Sequence, residues 1–350
     1  MLRVLYLDRA NGSLDPAVRA QLEEHVLAFK YWIDEPGEDQ MCYWTENHQI
    51  LYHSNELLAG QLFPDEVFSN SGMTGREHAE HAERLAERWL DFRGQFGFSE
   101  WHSNVYFNED VPAVVNLADY AENETLRTRA AAVLDIVAFD LLNNTYKGNF
   151  ATVHGRTYES KFIDGLVDST GEAAWIMLGL GDYESTGNFS GAFLATSDTY
   201  FTPGVLEEIA AATESSHEHR QRDSIDVADG PDWGIGYEDH DDIIFWAGMS
   251  AIITPEVIEG TFAMVDDLDL WNGFLFGDIP EEILDLVEMA MDNGTLPDLA
   301  EELAPLSRGI ALESMNTYVY RTPDYQLAGA QDYNPAYWAS QTQMWQATLD

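Results

Sequence analysis

Basic residues are scarce in this sequence, and their scarcity excludes one class of partner. The 350 residues include Lys+Arg 17 against Asp+Glu 62, for a formal net charge of −45. No basic stripe is present to neutralise phosphates, which excludes nucleic-acid binding. Lysine occurs only at Lys30, Lys147 and Lys161. In molar salt, charges are screened beyond about 3 Å, so we interpret the acidic surface as adapted to very high salt.

Cysteine and long apolar runs are also lacking. Cys42 is the only cysteine, which excludes a disulfide framework and a cysteine metal cluster. No apolar run approaches the roughly 20 residues of a membrane span, so no membrane partner is expected. The N-terminal residues 1–8 carry charge too early for a signal peptide. The expectation is a cytoplasmic protein, or a secreted one if an export segment precedes this sequence.

Aromatic and aliphatic residues are plentiful, and their number excludes disorder. Hydrophobic residues make up 45% of the chain and aromatic residues 12%. A chain of this composition can bury a large core, whereas acidic disordered chains lack apolar residues.

Apolar residues recur at helical spacing along most of the chain. Predicted helices cover residues 15–34, 43–62, 74–96, 109–121, 123–146, 170–181, 203–213, 241–252, 254–267, 280–293 and 297–304. Strand signals are confined to connectors at 149–154 and 316–321, and the charged stretch 214–242 predicts a long acidic loop. Fully apolar helices alternate with amphipathic ones, as in an inner ring of helices wrapped by an outer ring. The predicted fold is all-α: one domain over residues 1–350, an α/α toroid of about five or six helical hairpins, with a simple bundle or solenoid as the competitor.

The first unusual segment, residues 44–49, begins the second predicted helix. It contains Trp44, Glu46, Asn47 and His48, and helix interiors do not favour Asn. A buried polar network would explain one such residue. Four together point to a site, with Asn47 and His48 as catalytic candidates and Trp44 and Glu46 as substrate-binding candidates.

The second segment, residues 99–108, connects two predicted helices. It is rich in aromatic, amide and imidazole groups, as in the wall of a sugar-binding cleft. A packed turn between helices is the alternative. Its candidates are His102 and Tyr106 for catalysis, with Glu100, Trp101 and Asn104 for substrate binding.

The third segment, residues 154–159, follows the fifth predicted helix. Arg156 can hold a carboxylate through two parallel hydrogen bonds, and His154 and Tyr158 can carry protons. A salt-bridged connector is the alternative. A smaller group, with Arg321 and Tyr325 as substrate-binding candidates, could close the cleft from the far end.

Other polar clusters are set aside. His78 and His81 lie in a charged helix without the HExxH spacing of zinc proteases. His217 and His219 fall in the acidic stretch and are expected to face solvent. No metal site and no cofactor are therefore predicted.

The motif Glu46-Asn47-His48, followed by Leu51 and Leu58-Ala59-Gly60, resembles the inner-helix signature of the heparinase II/III and alginate-lyase group. The resemblance covers about residues 40–160 and implies an α/α toroid followed by an antiparallel β domain. Asn47 and His48 match the motif itself, whereas the other catalytic candidates are assigned by their chemistry. No β-rich region is recognised behind the helices, so the β domain is expected to be absent or the chain truncated.

The resemblance implies a lyase that cleaves a uronate-containing polysaccharide by β-elimination. An Asn, His or Arg would neutralise the uronate carboxylate, and a Tyr or His would remove the C5 proton. We expect Asn47, His48, His102 and His154 to face one cleft that holds an acidic polysaccharide or oligosaccharide. Two alternatives stay open: a glycoside hydrolase with paired carboxylates (Glu46 with Glu100, or Glu100 with Asp110), and a non-catalytic carbohydrate-binding protein.

Overall fold

The structure, a computed structural model, describes residues 1–163, 165–182, 188–212, 215–273, 276–277, 279–334 and 341–349. It is a mixed α/β fold, about 53% helical and 10% strand, with two antiparallel sheets. The expected all-α toroid is therefore wrong as a fold class. Most of the helices were predicted, whereas strands were expected only in the connectors at 149–154 and 316–321.

Most predicted helices begin and end within four residues of their predicted positions, although the one predicted for 15–34 ends at Ala28. The helices at Leu2–Asn11, Glu159–Ile163, Ser190–Ala195 and Ala304–Ser307 were not predicted. The Asp15 side chain accepts the Ala17 N–H at the start of α2, and Thr74 and Glu77 form a reciprocal capping box on α4. The helices are α1 (Leu2–Asn11), α2 (Pro16–Ala28), α3 (Glu46–Leu62), α4 (Gly75–Phe96), α5 (Phe107–Tyr120), α6 (Glu124–Asn144), α7 (Glu159–Ile163), α8 (Gly171–Leu178), α9 (Ser190–Ala195), α10 (Gly204–Ala211), α11 (His240–Gly248), α12 (Ile258–Asp267), α13 (Glu281–Asp292), α14 (Leu296–Glu302) and α15 (Ala304–Ser307). Two 3₁₀ turns cover Gly165–Val167 and Val227–Trp233.

The central helices pack as two antiparallel hairpins. Helix α3 packs on α4 and α5 packs on α6, while α3 lies beside α5 and α4 beside α6. Helix α9 extends the α3 and α5 layer, and α8 and α10 pack against α6. The core between the layers is aliphatic and includes Ile50, Leu57, Val114, Leu134 and Leu141. Burial of these side chains is the main stabilising contribution.

A four-stranded antiparallel sheet replaces the predicted acidic loop and C-terminal connectors. Its strands are β3 (His217–Asp223), β4 (Met315–Arg321), β5 (Tyr325–Gln331) and β6 (Trp345–Leu349), in that spatial order. The short strands β1 (Thr145–Tyr146) and β2 (Asn149–Phe150) form a separate hairpin. The 214–242 loop prediction is wrong, since β3, a 3₁₀ turn and the start of α11 lie there; residue 214 falls outside the described part. The expectation of no β-rich region is also wrong, because β4, β5 and β6 follow the helices.

The sheet covers one end of the helical layers. Its buried face presents Met315, Val319 and Ala328, which pack against Trp101 and Val153. The α4–α5 loop and the segment after β2 therefore lie between helices and sheet. Among the described residues, no helix is long and apolar enough to cross a membrane.

Candidate functional site

The three predicted segments meet at one place in the fold. Residues 44–49 lead into and begin α3, residues 99–108 connect α4 to α5, and residues 154–159 lead from β2 into α7. The first two segments are joined where Glu46 Oε2 accepts the Glu100 N–H at 2.8 Å. The third is joined to the second by several hydrogen bonds. The sequence clusters therefore share one region, although their side chains divide between exposed and buried positions.

A chain of hydrogen bonds fixes the His48 imidazole. Asn47 Nδ2 donates to Glu109 Oε2 at 2.6 Å, and the Thr45 hydroxyl donates to Asn47 Oδ1 at 2.8 Å. His48 Nδ1 lies 2.5 Å from Thr45 Oγ1. Because the hydroxyl proton already points to Asn47, Nδ1 donates and Nε2 keeps its lone pair. Burial lowers the pKa of His48, so the half-buried ring is a neutral proton acceptor.

Glu46 has a positioning role in this arrangement. Its carboxylate pairs with Arg93 Nη1 at 2.8 Å, and its backbone carbonyl accepts the Trp89 Nε1–H at 2.9 Å. The Glu46 side chain is 1% exposed. It therefore anchors the start of α3 to α4, and it is not placed to contact a substrate.

Arg156 is held at the edge of the site by three partners. Its Nε donates to Glu100 Oε1 at 2.9 Å, its Nη1 to Gln341 Oε1 at 2.7 Å, and its Nη2 to Ser250 Oγ at 3.0 Å. Burial raises the pKa of Glu100 to about 7. A carboxyl with that pKa is partly protonated at neutral pH, so it neutralises Arg156 incompletely.

Two tyrosine hydroxyls lie beside this arginine. Tyr106 Oη and Tyr158 Oη are 2.6 Å apart, and Tyr158 is 39% exposed. Burial, followed by the hydrogen bond to Tyr158, raises the pKa of Tyr106, so this phenol keeps its proton at neutral pH. The Glu109 N–H donates to the Tyr106 carbonyl at 2.8 Å. Tyr106, the N-cap of α5, and Glu109, the last member of the His48 chain, therefore both lie at the start of α5.

His102 and His154 do not share an open cleft with His48. His102 is fully buried beneath the sheet, with Nε2 3.8 Å from Asp223 Oδ2, and His154 Nδ1 lies 2.6 Å from the His102 carbonyl. Burial lowers the pKa of His102 to about 3 and that of His154 to about 4. His154 lines a separate cavity of about 280 Å³. The expectation of one cleft for Asn47, His48, His102 and His154 is therefore wrong.

The predicted sugar-stacking residues differ in their access to solvent. Trp101 is 2% exposed, and its ring packs so closely on Gly155 that a Cβ there would lie 2.8 Å from it. Asn104 is buried, and its Oδ1 accepts the Thr157 hydroxyl at 2.7 Å. Trp44 is half-buried and lines a cavity of about 430 Å³. Of these three candidates, Trp44 alone has a face that a ligand could reach.

Arg321 and Tyr325 lie in the sheet and do not close the site. Arg321 Nη1 donates to the Thr145 carbonyl at 2.7 Å, which anchors β4 to the β1 strand. The Tyr325 ring lies tilted against Tyr320, with centroids 6.3 Å apart. Their predicted role in substrate binding has no support from these contacts.

Several residues that complete the site are not among the candidates predicted from the sequence. Thr45 and Glu109 form the chain behind His48, and Ser250 and Gln341 orient Arg156. An acidic residue in the first turn of a helix, directly after an aromatic loop, was the available signal for Glu109. Ser250 and Gln341 are too distant in sequence to be recognised.

Acidic and imidazole groups that could hold a metal lie outside this region. Among the described residues, Glu35, Glu56 and His78 bring ligand atoms within 4.8 Å of one another. Comparison with protein-family models, curated proteins and solved structures finds no match to this chain.

Proposed function

We propose that this protein cleaves a uronate-containing polysaccharide by β-elimination. The observation that carries the proposal is the hydrogen-bond chain that leaves His48 Nε2 as a neutral proton acceptor. In this reaction a base removes the C5 proton, the C4=C5 double bond forms, and the C4–O4 bond breaks. The departing O4 then takes a proton. His48 would act as the base, with the Tyr106 and Tyr158 pair as the proton donor.

The charge around Arg156 supports a uronate as substrate. Removing the C5 proton places negative charge on the uronate carboxylate, and a fixed cation stabilises that charge. Arg156 is oriented by Ser250 and Gln341, and its carboxylate partner Glu100 is partly neutral at pH 7. A locally positive site can thus exist in a strongly acidic protein, and molar salt screens the long-range repulsion.

The burial of the carboxylates favours a lyase over a hydrolase. Glu46, Glu100 and Asp110 are 1%, 4% and 3% exposed. A hydrolase needs two carboxyl groups that reach opposite sides of the glycosidic bond. None of these three side chains is exposed enough to contact a sugar.

The test is incubation with polymers of mannuronate, guluronate, galacturonate and glucuronate in molar salt. β-Elimination produces an unsaturated uronate that absorbs in the ultraviolet, together with one new reducing end per cleavage. His48→Ala should lower turnover by about 10²- to 10⁴-fold, the usual contribution of general acid–base catalysis. Activity should persist at mildly acidic pH, because burial lowers the pKa of His48.

His25→Ala is the matched control for His48→Ala, because it removes an exposed imidazole that lies outside the site. Tyr158→Phe removes one hydroxyl and should also reduce turnover while leaving helicity intact. Reducing ends without ultraviolet absorbance would identify a hydrolase instead. Binding to a polymer without any cleavage would identify a carbohydrate-binding protein.

A further inference from the structure

Imidazole and carboxylate groups from α3 and α4 converge at a second place in the helical hairpin. His53 and Glu56 are three residues apart on α3, and His78 and His81 are three apart on α4, so each pair shares one helix face. Glu56 Oε1 lies 2.8 Å from His78 Nδ1 and 2.9 Å from His81 Nδ1. Both imidazoles thus lie within hydrogen-bond distance of the same carboxylate oxygen.

Glu35, from the segment before α3, joins this cluster. Its ligand atoms, with those of Glu56 and His78, all lie within 4.8 Å of one another, and all three residues are buried. Buried carboxylates are costly unless they are paired or coordinate a metal. This group therefore differs from the solvated acidic residues on the surface of the molecule.

Two buried atoms of the cluster are left without a partner. Glu56 Oε2 and His53 Nδ1 make no hydrogen bond to any described residue. A purely hydrogen-bonded network would satisfy Glu56 Oε1 and leave Oε2 bare, at a cost of about 1–3 kcal/mol or more. A cation beside the carboxylate would satisfy Oε2 directly.

We propose that Glu35, Glu56 and His78 bind a divalent transition metal, with zinc as the best chemical match, and that His81, which lies 2.9 Å from Glu56 Oε1, turns to supply a fourth ligand. Zinc is bound by imidazole nitrogen and carboxylate oxygen at about 2.0–2.2 Å. In a tetrahedral site such ligand atoms are about 3.4 Å apart. The ligand atoms of Glu35, Glu56 and His78 already lie within 4.8 Å of one another, so these three need only small side-chain shifts. The two imidazoles favour zinc over magnesium or calcium, which prefer oxygen ligands.

The surroundings supply an outer shell and a route for the ion. Ser71 Oγ lies 2.7 Å from His78 Nε2 and fixes that ring, as outer-shell partners do in metal sites. His81 is 23% exposed, and its Nε2 lies 3.8 Å from Asp34 Oδ2. Asp34 and Glu35 both line the cavity of about 430 Å³. The ion would therefore lie beside the cavity that also contains Trp44.

The experiment is a Co²⁺ titration of the full chain after treatment with a chelator, in molar KCl. High salt suppresses loose binding to surface carboxylates. The expected result is a visible absorption spectrum of imidazole-bound Co²⁺ that saturates at one equivalent and disappears when Zn²⁺ is added. Mg²⁺ and Ca²⁺ should not displace Co²⁺.

Variants locate the site on these residues. His81→Gln, at a partly exposed position, should weaken binding by more than the roughly 10- to 100-fold expected for the outer-shell change Ser71→Ala. Glu56→Gln keeps the side-chain shape and should abolish the spectrum, whereas His25→Ala should leave it unchanged. If the wild type shows no saturable Co²⁺ spectrum, or if folded His81→Gln binds as the wild type does, the metal site is ruled out.

Discussion

Two buried carboxylates of this protein show how the kind of partner affects the charge. Glu46 faces a cation, Arg93, at 2.8 Å. Asp140, at 1% exposure, accepts an amide proton from Gln221 at 2.8 Å, and the same amide reaches Asp223 at 2.9 Å. An amide compensates a buried negative charge poorly, so burial raises the pKa of Asp140 to about 7 and that of Asp223 well above its usual value.

The Asp140 carboxyl should make stability depend on pH. Its pKa is about 7 in the fold and 3.8 in the reference state, so the folded chain binds the extra proton between those values. The free energy of unfolding should therefore fall as pH rises from about 4 to 7, by up to roughly 4 kcal/mol for this group. Asp140→Asn should flatten this dependence, as measured by thermal unfolding at pH 5 and pH 8 in molar KCl.

The matched control for this prediction is Asp232→Asn, which changes an exposed carboxylate. It should leave the difference between the two pH values nearly as in the wild type. An Asp140→Asn variant whose unfolding keeps the full wild-type pH dependence would show that Asp140 is ionised in the fold.

At the scale of single residues, the sequence identified candidate site residues better than it identified their hydrogen-bond partners. The unusual Asn47 and His48 were recognised because helix interiors do not favour amide and imidazole groups. Their partner Glu109 lies 62 positions away from Asn47 in the chain, and one sequence carries no sign of that pairing. The burial of His102 and His154 was missed for a related reason, since the sheet that covers them was not predicted.

At the level of secondary-structure elements, the spacing of apolar residues explains why the long helices were predicted and why strand β3 was not. The long helices carry apolar residues at helical spacing and were placed within a few residues of their ends. Strand β3 reads as a polar stretch because its buried positions are His219 and Asp223, and the half-buried Gln221 between them donates to Asp140. No apolar alternation marks such a strand. Strand signals were noticed at 316–321, within β4. Its partner β5 follows directly in the chain, whereas its other partner β3 lies far earlier.

The α3–α4 hairpin depends on the close approach of two glycines. A Cβ on Gly60 would lie 2.3 Å from the Gly75 carbonyl oxygen and 2.7 Å from the Ala79 nitrogen. A Cβ on Gly75 would lie 2.1 Å from the Phe63 carbonyl oxygen. These contacts involve backbone atoms, which cannot move without shifting a whole helix. A side chain therefore does not fit at Gly60, which explains the glycine in Leu58-Ala59-Gly60.

We expect Gly60→Ala to destabilise the protein by about 3 kcal/mol or more, because it forces the two helices apart. Gly94 on α4 provides the control, since a Cβ there meets nothing within 4 Å. Gly94→Ala should be neutral or stabilise by up to about 1 kcal/mol. Denaturant unfolding in molar salt measures both, and equal effects at the two positions would contradict the close helix contact.

For the molecule as a whole, charge sets the conditions under which the fold is stable. Ion pairs such as Arg76 with Asp65 and Arg129 with Asp91 lie at the surface. Exposed pairs contribute about 0–1 kcal/mol and are screened by salt. Seventeen cations cannot neutralise 62 acidic residues, so the folded state must tolerate a large excess of like charge.

We predict that the protein loses helix as salt is removed, well above physiological ionic strength. The net charge of −45 is fixed on a compact surface, and the screening length grows from about 3 Å at 1 M to about 10 Å at 0.1 M salt. Repulsion among surface carboxylates then extends across neighbouring helices, and unfolding relieves it by separating the charges. Circular dichroism over a falling KCl series measures this loss, with choline chloride as a control for charge screening by a cation that carboxylates coordinate poorly. Full helicity in dilute buffer would contradict the prediction. If KCl preserves helicity and choline chloride does not, cations bound to carboxylates, rather than charge screening, stabilise the folded surface.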